Sequence, residues 1–133
     1  MDARDLNLTE IRGEAIGMIT EFSSPDEIFQ NQVIRPILKL QNDLLIAVFI
    51  NYVKKNKADF FTYKAERKLA TIENSIQKDI KFRNSLKGMI IAMFTLDEYQ
   101  TYILNSSSLN KRMMNLLIDR LKNQVQLFEY EPN

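Results

Sequence analysis

Apolar side chains return every three or four residues along most of this chain, which is the period of a helix face and not the alternation of a strand. Phe29, Val33, Ile37, Leu40, Leu44 and Val48 step by four, four, three, four and four, so residues 25 to about 55 read as helix with one face turned to a core. The start is marked by Ser24-Pro25-Asp26-Glu27: serine at the N-cap, proline at the first helical position, and glutamate at the third, within reach of the cap amide. Pro36 lies inside the pattern and predicts a kink or a division, because it removes one backbone bond and its ring meets the carbonyl of Gln32. Residues 44–50 are apolar on nearly every side, and with no Gly or Pro before Asn56 they read as the middle of a covered central helix.

Asn56 and Asp59 mark a linker over 54–61, and Thr62 is a candidate cap for the helix carrying Leu69, Ile72, Ile76 and Ile80. Residues 81–85 interrupt that stripe before Leu86, Met89, Ile90, Met93 and Phe94 resume it, which predicts two helices joined near residue 83. Thr95-Leu96-Asp97-Glu98 is a capping box opening a short helix to about residue 104. Asn105 to Ser108 offers caps for the last helix, whose Leu109, Met113, Leu117, Leu121, Val125 and Phe128 form the longest stripe in the chain. Residues 1–23 are less regular. Leu6, Leu8, Ile11, Ala15, Ile16 and Ile19 partly follow a helical spacing, yet Gly13 and Gly17 each weaken a helix interior by roughly 1 kcal/mol. The expected organisation is a weakly structured arm or helix over 1–23, a helical bundle domain over 24–128 and a tail over 129–133. The fold class is all-α, a single compact bundle of five or six helices.

At 133 residues the chain is long enough for one hydrophobic core. It contains no histidine and no cysteine, which excludes a Ser-His-Asp triad, a Cys-His pair, Cys/His zinc sites and iron–sulfur ligation from its own side chains. Three scattered glycines exclude a glycine-rich phosphate loop. The first residues carry mixed charge with no apolar run behind them, and the longest apolar run, 44–50, is far short of the roughly 20 residues of a spanning helix. A cytoplasmic location, no membrane partner and no cofactor or metal are expected. The remaining acid–base candidates are Glu10 with Glu14, on one face if their segment is helical, and Asp97 with Glu98, whose oxygens suit a hard cation such as Mg²⁺. Carboxylates near a helix start also serve the macrodipole without any catalytic role.

The net charge of +1 hides an asymmetry: residues 1–27 hold seven acidic and two basic side chains, whereas 54–87 hold ten basic and four acidic. Either the acidic start folds over the basic middle, or the middle is a solvated face or a patch for phosphate or an acidic partner. The densest part of that segment supplies Lys78, Lys81, Arg83, Asn84 and Lys87 as candidate contacts, with Phe82 available to stack on an unpaired base. Lys111 and Arg112 sit near a helix start, where the dipole disfavours cations, and are added as partner contacts.

Three stretches, residues 34–43 (Ile-Arg-Pro-Ile-Leu-Lys-Leu-Gln-Asn-Asp), 77–88 (Gln-Lys-Asp-Ile-Lys-Phe-Arg-Asn-Ser-Leu-Lys-Gly) and 110–115 (Asn-Lys-Arg-Met-Met-Asn), resemble a family of short helical bacterial proteins without an established activity, some labelled glyoxalase. The resemblance covers most of 27–128 and implies no mechanism. Glyoxalase I enzymes use a βαβββ fold and a metal held by His and Glu, so no glyoxalase residue or metal is carried over to a chain without His.

The reading of the sequence is therefore a non-enzymatic helical interaction module, an adaptor or regulator, that self-associates as a homodimer. The apolar surface for that contact is expected on the 109–128 stripe and on 44–50, with methionines adding adaptable area. The alternative is a nucleic-acid or ribosome-associated protein using the basic segment 54–87.

Overall fold

A computed structural model describes residues 2–130 and contains helices and no strand among them. Seven α-helices follow one another: α1 (Ala3–Arg12), α2 (residues 25–40), α3 (Asn42–Asn56), α4 (Ala65–Lys78), α5 (Ile80–Ile91), α6 (Leu96–Leu104) and α7 (Ser106–Asn123). Short 3₁₀ turns at Phe60–Thr62 and Val125–Phe128 complete the chain. The all-α class stands, with seven helices in place of five or six. Of the expected tail, Glu129 and Tyr130 are exposed, and 131–133 lie outside the described residues. None of the described helices is long and apolar enough to cross a membrane.

The core forms where the predicted stripes meet. Phe49 of α3 is fully buried, with its ring 5.7 Å from Phe60, 6.3 Å from Phe82 and 5.3 Å from Phe128. Ile72 and Ile76 of α4, Leu86 and Ile90 of α5, and Leu109, Met113, Leu117 and Leu121 of α7 close around it. The 109–128 stripe expected to reach a second subunit is thus covered within one chain. Residues 44–50 are covered less completely than expected: Leu45, Ile46 and Phe49 are buried, while Leu44 and Ala47 face out.

Pro36 divides α2 by an unexpected route. The helix is α-helical over Pro25–Phe29, π-helical over Gln30–Ile34 and α-helical again over Arg35–Leu40. The Arg35 N–H reaches back five residues to the Gln30 carbonyl, and residue 36 has no N–H to offer. The Asn31 carbonyl is thereby released from the helix, and it accepts instead from the Ile16 N–H at 2.8 Å. A buried carbonyl needs such a partner, so the proline indirectly specifies where the N-terminal arm docks.

Residues 2–24 form a capped helix and a docked arm. Asp2 caps α1 through the Asp5 N–H, and Gly13 ends it with a positive φ of 78°. The helix is turned opposite to its apolar residues: Asp5 and Arg12 are buried while Leu6 and Ile11 are exposed. Asp5 accepts from the Leu96 N–H at 3.2 Å, and Arg12 grips Glu98 with two bonds of 2.6 and 2.7 Å. A polar clamp ties α1 to the start of α6, while the helix also packs against residues 35–40 of α2. The capping box of α6 forms as predicted, Thr95 bonding the Glu98 N–H and Glu98 the Thr95 N–H.

Two boundaries differ from expectation. The α4–α5 junction falls at Asp79, not near 83, because Asp79 caps α5 by accepting the Phe82 N–H at 3.1 Å. The break rotates Ile80 out of the α4 stripe and leaves it 61% exposed. Thr62 bonds the Asp59 carbonyl instead of capping α4, whose N-cap is Lys64 without a side-chain bond.

Candidate functional site

The Asp79 cap decides what the basic segment can do. With α5 beginning at Ile80, Arg83 and Lys87 stand one helical turn apart on the same face. That face borders a groove of about 350 Å³ between α5, the end of α4 and the first half of α7. Lys111 enters from α7, so Arg83, Lys87 and Lys111 line one groove with no carboxylate among the lining residues. Its apolar part is Ile76, Met114 and Ile118, all buried, and its polar part adds Gln77, Ser107, Asn110 and Asn115.

Several of these side chains are held in place. Arg83 donates through Nη1 to the Gln77 carbonyl at 3.0 Å, which satisfies a carbonyl in the last turn of α4. Asn110 accepts from the Tyr102 hydroxyl at 2.6 Å, engaging its oxygen and leaving its NH₂ group as a donor. Ser107 lies in the first turn of α7, the positive end of that helix dipole. Anion-attracting groups therefore converge from three helices onto a partly apolar surface.

The other sequence candidates lie elsewhere. Lys78 borders a separate cleft with Tyr52, Lys57 and Asp79. Lys81 and Asn84 are exposed on α5, outside the groove. Arg112 turns to the α2 side and donates to Gln30 Oε1 at 3.0 Å. Phe82 is not available to a base: it is buried and stacked on Tyr52 with 3.8 Å between ring centres. Nor does the acidic start cover the basic middle where its carboxylates are engaged. Asp5 bonds Arg4 and the Leu96 N–H, and Asp26 accepts from Asn105 and Ser108. Hydrogen bonds from Ser108 first, and then from Asn105, hold the Asp26 pKa below its ordinary value.

The carboxylate pairs considered for a cation are not assembled as pairs. Helix α1 ends at Arg12, so Glu10 and Glu14 do not share a helix face. Glu98 is committed to Arg12 and the Thr95 N–H; burial alone would raise its pKa, but the Arg12 hydrogen bond leads the contacts that bring it below the ordinary value.

A second cationic cleft, of about 430 Å³, lies on the other side of α7. Arg35 of α2 and Arg120 of α7 line it, together with Ile16 of the arm, Asp119, Asn123 and Gln124. Sequence patterning missed it because its two arginines are far apart in the chain and neither belongs to a charge cluster. The only signal was Arg35 directly before Pro36, where a helix irregularity was expected. Comparison with protein-family models, with curated proteins and with solved structures returns no match to this chain.

Proposed function

We propose that this protein is a non-enzymatic helical interaction module whose groove between α4, α5 and α7 receives an acidic protein segment. The observation that carries the reading is the convergence of Arg83, Lys87 and Lys111 on one groove without a lining carboxylate. Its apolar part favours a peptide over single-stranded nucleic acid: Met114, Ile76 and Ile118 suit an apolar anchor side chain, whereas no aromatic ring lines the groove to stack a base. The absence of His and Cys from the sequence supports a binding role over a catalytic one.

The test is fluorescence anisotropy with a labelled peptide of glutamate and leucine, alongside an oligothymidine of equal length. The peptide is expected to bind at low salt, to weaken as salt rises, and to lose on the order of tenfold or more in affinity in Lys87→Glu, Lys111→Glu. Tighter binding of the oligothymidine, lost in the same variant, would transfer the groove to nucleic acid. Binding of neither would end the proposal.

Self-association is the second reading, and its surface moves to α6. Leu96, Tyr99 and Ile103, three and four residues apart, are exposed on one side of that helix, with Leu104 beside them. Sedimentation velocity is expected to show a concentration-dependent dimer that Ile103→Lys abolishes. A monomer throughout the concentration series rejects it.

A further inference from the structure

The cleft on the arm side of α7 is built differently from the groove, and it points to a different ligand. Arg35 donates through Nε to Asn31 Oδ1 at 2.9 Å, which leaves both its terminal nitrogens for a ligand. Arg120 donates through Nη1 to Asn42 Oδ1 at 3.2 Å, leaving Nη2 and Nε. Both braces are neutral amides, and each brace is itself anchored. Asn31 donates to the Met18 carbonyl at 3.1 Å, and Asn42 exchanges two bonds with Gln124, of 2.9 and 2.7 Å. Neither arginine belongs to an ion pair among the described residues, and Asp119, exposed on the same cleft, pairs with neither. The two positive charges also act on each other: burial, then the Arg35 charge, press the Arg120 pKa downward.

Two half-buried guanidiniums steadied side by side, neither paired with a carboxylate, repel each other, and an anion between them relieves that repulsion. A single carboxylate presents two oxygens in one plane and satisfies one guanidinium fork. A phosphate presents its oxygens tetrahedrally, so it can face two forks at once, and its charge near −2 balances both arginines. We propose that Arg35 and Arg120 form a binding site for a phosphate group, free or carried as a small monoester, with Asn123 as a further donor and the arm at Ile16 as one wall. This site is independent of the α5 groove and of the acidic segment proposed to bind there.

Isothermal titration calorimetry with inorganic phosphate and with glycerol phosphate, at ionic strength fixed with sodium chloride, tests it. One phosphate per chain is expected. Arg35→Gln and Arg120→Gln should each weaken binding on the order of tenfold or more, and Asp119→Asn, an exposed change that removes a repelling carboxylate, should tighten it. The Lys87→Glu, Lys111→Glu variant should bind phosphate as the unaltered protein does. Tighter binding of the ester assigns the site to a phosphorylated metabolite, and equal binding to free phosphate; either supports the proposal. No binding beyond chloride overturns it, as does binding lost with Lys87 and Lys111 but kept without Arg35 and Arg120, or an affinity unchanged by Asp119→Asn.

Discussion

The last helix borders two cationic clefts, and they are made by opposite means. On one flank of its buried stripe Leu109, Met113, Leu117 and Leu121, the residues Asn110, Lys111, Met114 and Ile118 face α4 and α5. On the other, Asp119, Arg120 and Asn123 face α2 and the N-terminal arm. The α5 groove takes two of its three cations from one helical turn, has an apolar part, and uses a backbone carbonyl to steady Arg83. The arm-side cleft takes its arginines from distant parts of the chain and steadies each with a buried or half-buried amide. Lys87 and Lys111 of the groove bond no other element among the described residues, so that cleft can lose their charges without disturbing the fold. A cleft made of braces between elements cannot, so the two should separate in stability measurements as well as in ligand.

The largest separation should come from the clamp that holds α1, and with it the start of the arm. Glu98→Gln leaves the Arg12 guanidinium, whose Nε already lacks a partner, buried without a counter-charge. A loss of about 3 kcal/mol by urea unfolding at neutral pH is expected. The pH dependence follows from the lowered Glu98 pKa: the stabilisation is fully present above the ordinary glutamate value of 4.5 and is lost as pH falls through the lower folded value. The Glu98→Gln variant should lack that component in the same window. Amide exchange at Ile16 should accelerate in this variant while Arg83 to Lys87 stay protected; equal acceleration on both sides would break the comparison.

Asn31→Ala comes next. It removes the bond to the Met18 carbonyl and the brace on Arg35 together, and about 2 kcal/mol of stability should be lost. Phosphate binding should weaken in the same variant while the acidic peptide still binds, which separates the two sites within one protein.

These unequal dependences also explain what the sequence disclosed. The helix stripes were legible because burial follows the helical period, and Ser24 and Thr95 read correctly as caps because they bond the predicted N–H groups. Arg83 and Lys87 were legible as part of a charge cluster and Lys111 as a cation at a helix start, but their common groove depended on the Asp79 cap, which periodicity placed four residues too late. Residues 1–23 were read only as an arm or a helix because Asp5 and Arg12 are the buried residues of α1, and a polar clamp leaves little apolar period to find. The arm-side cleft was hidden for a related reason. Pro36 announced an irregularity, but that the freed Asn31 carbonyl would capture Ile16 depends on tertiary approach.

Gly17→Ala should have a smaller effect, felt in the arm and at the Asn31 side chain it touches. Gly17 has φ of +99°, and an added Cβ would meet the Asn31 side chain at 3.0–3.1 Å. Strain of about 1–2 kcal/mol is expected from the backbone conformation, and displacement of Asn31 should carry over to Arg35 as weaker phosphate binding. Unchanged phosphate affinity in a destabilised Gly17→Ala variant would show that Asn31 does not brace Arg35.

The smallest change in stability is expected from Lys87→Glu, Lys111→Glu, and there the contrast is sharpest. Lys111 is exposed and Lys87 half-buried, neither belongs to an ion pair among the described residues, and the groove offers no carboxylate whose loss of a partner would be felt. Removing two like charges near Arg83 also relieves repulsion, which offsets whatever packing the lysine stems supply. Unfolding in urea should shift by less than about 0.5 kcal/mol, while peptide binding is lost. A large destabilisation would mean that these lysines serve the fold, and the groove would then have the same structural dependence as the cleft across α7.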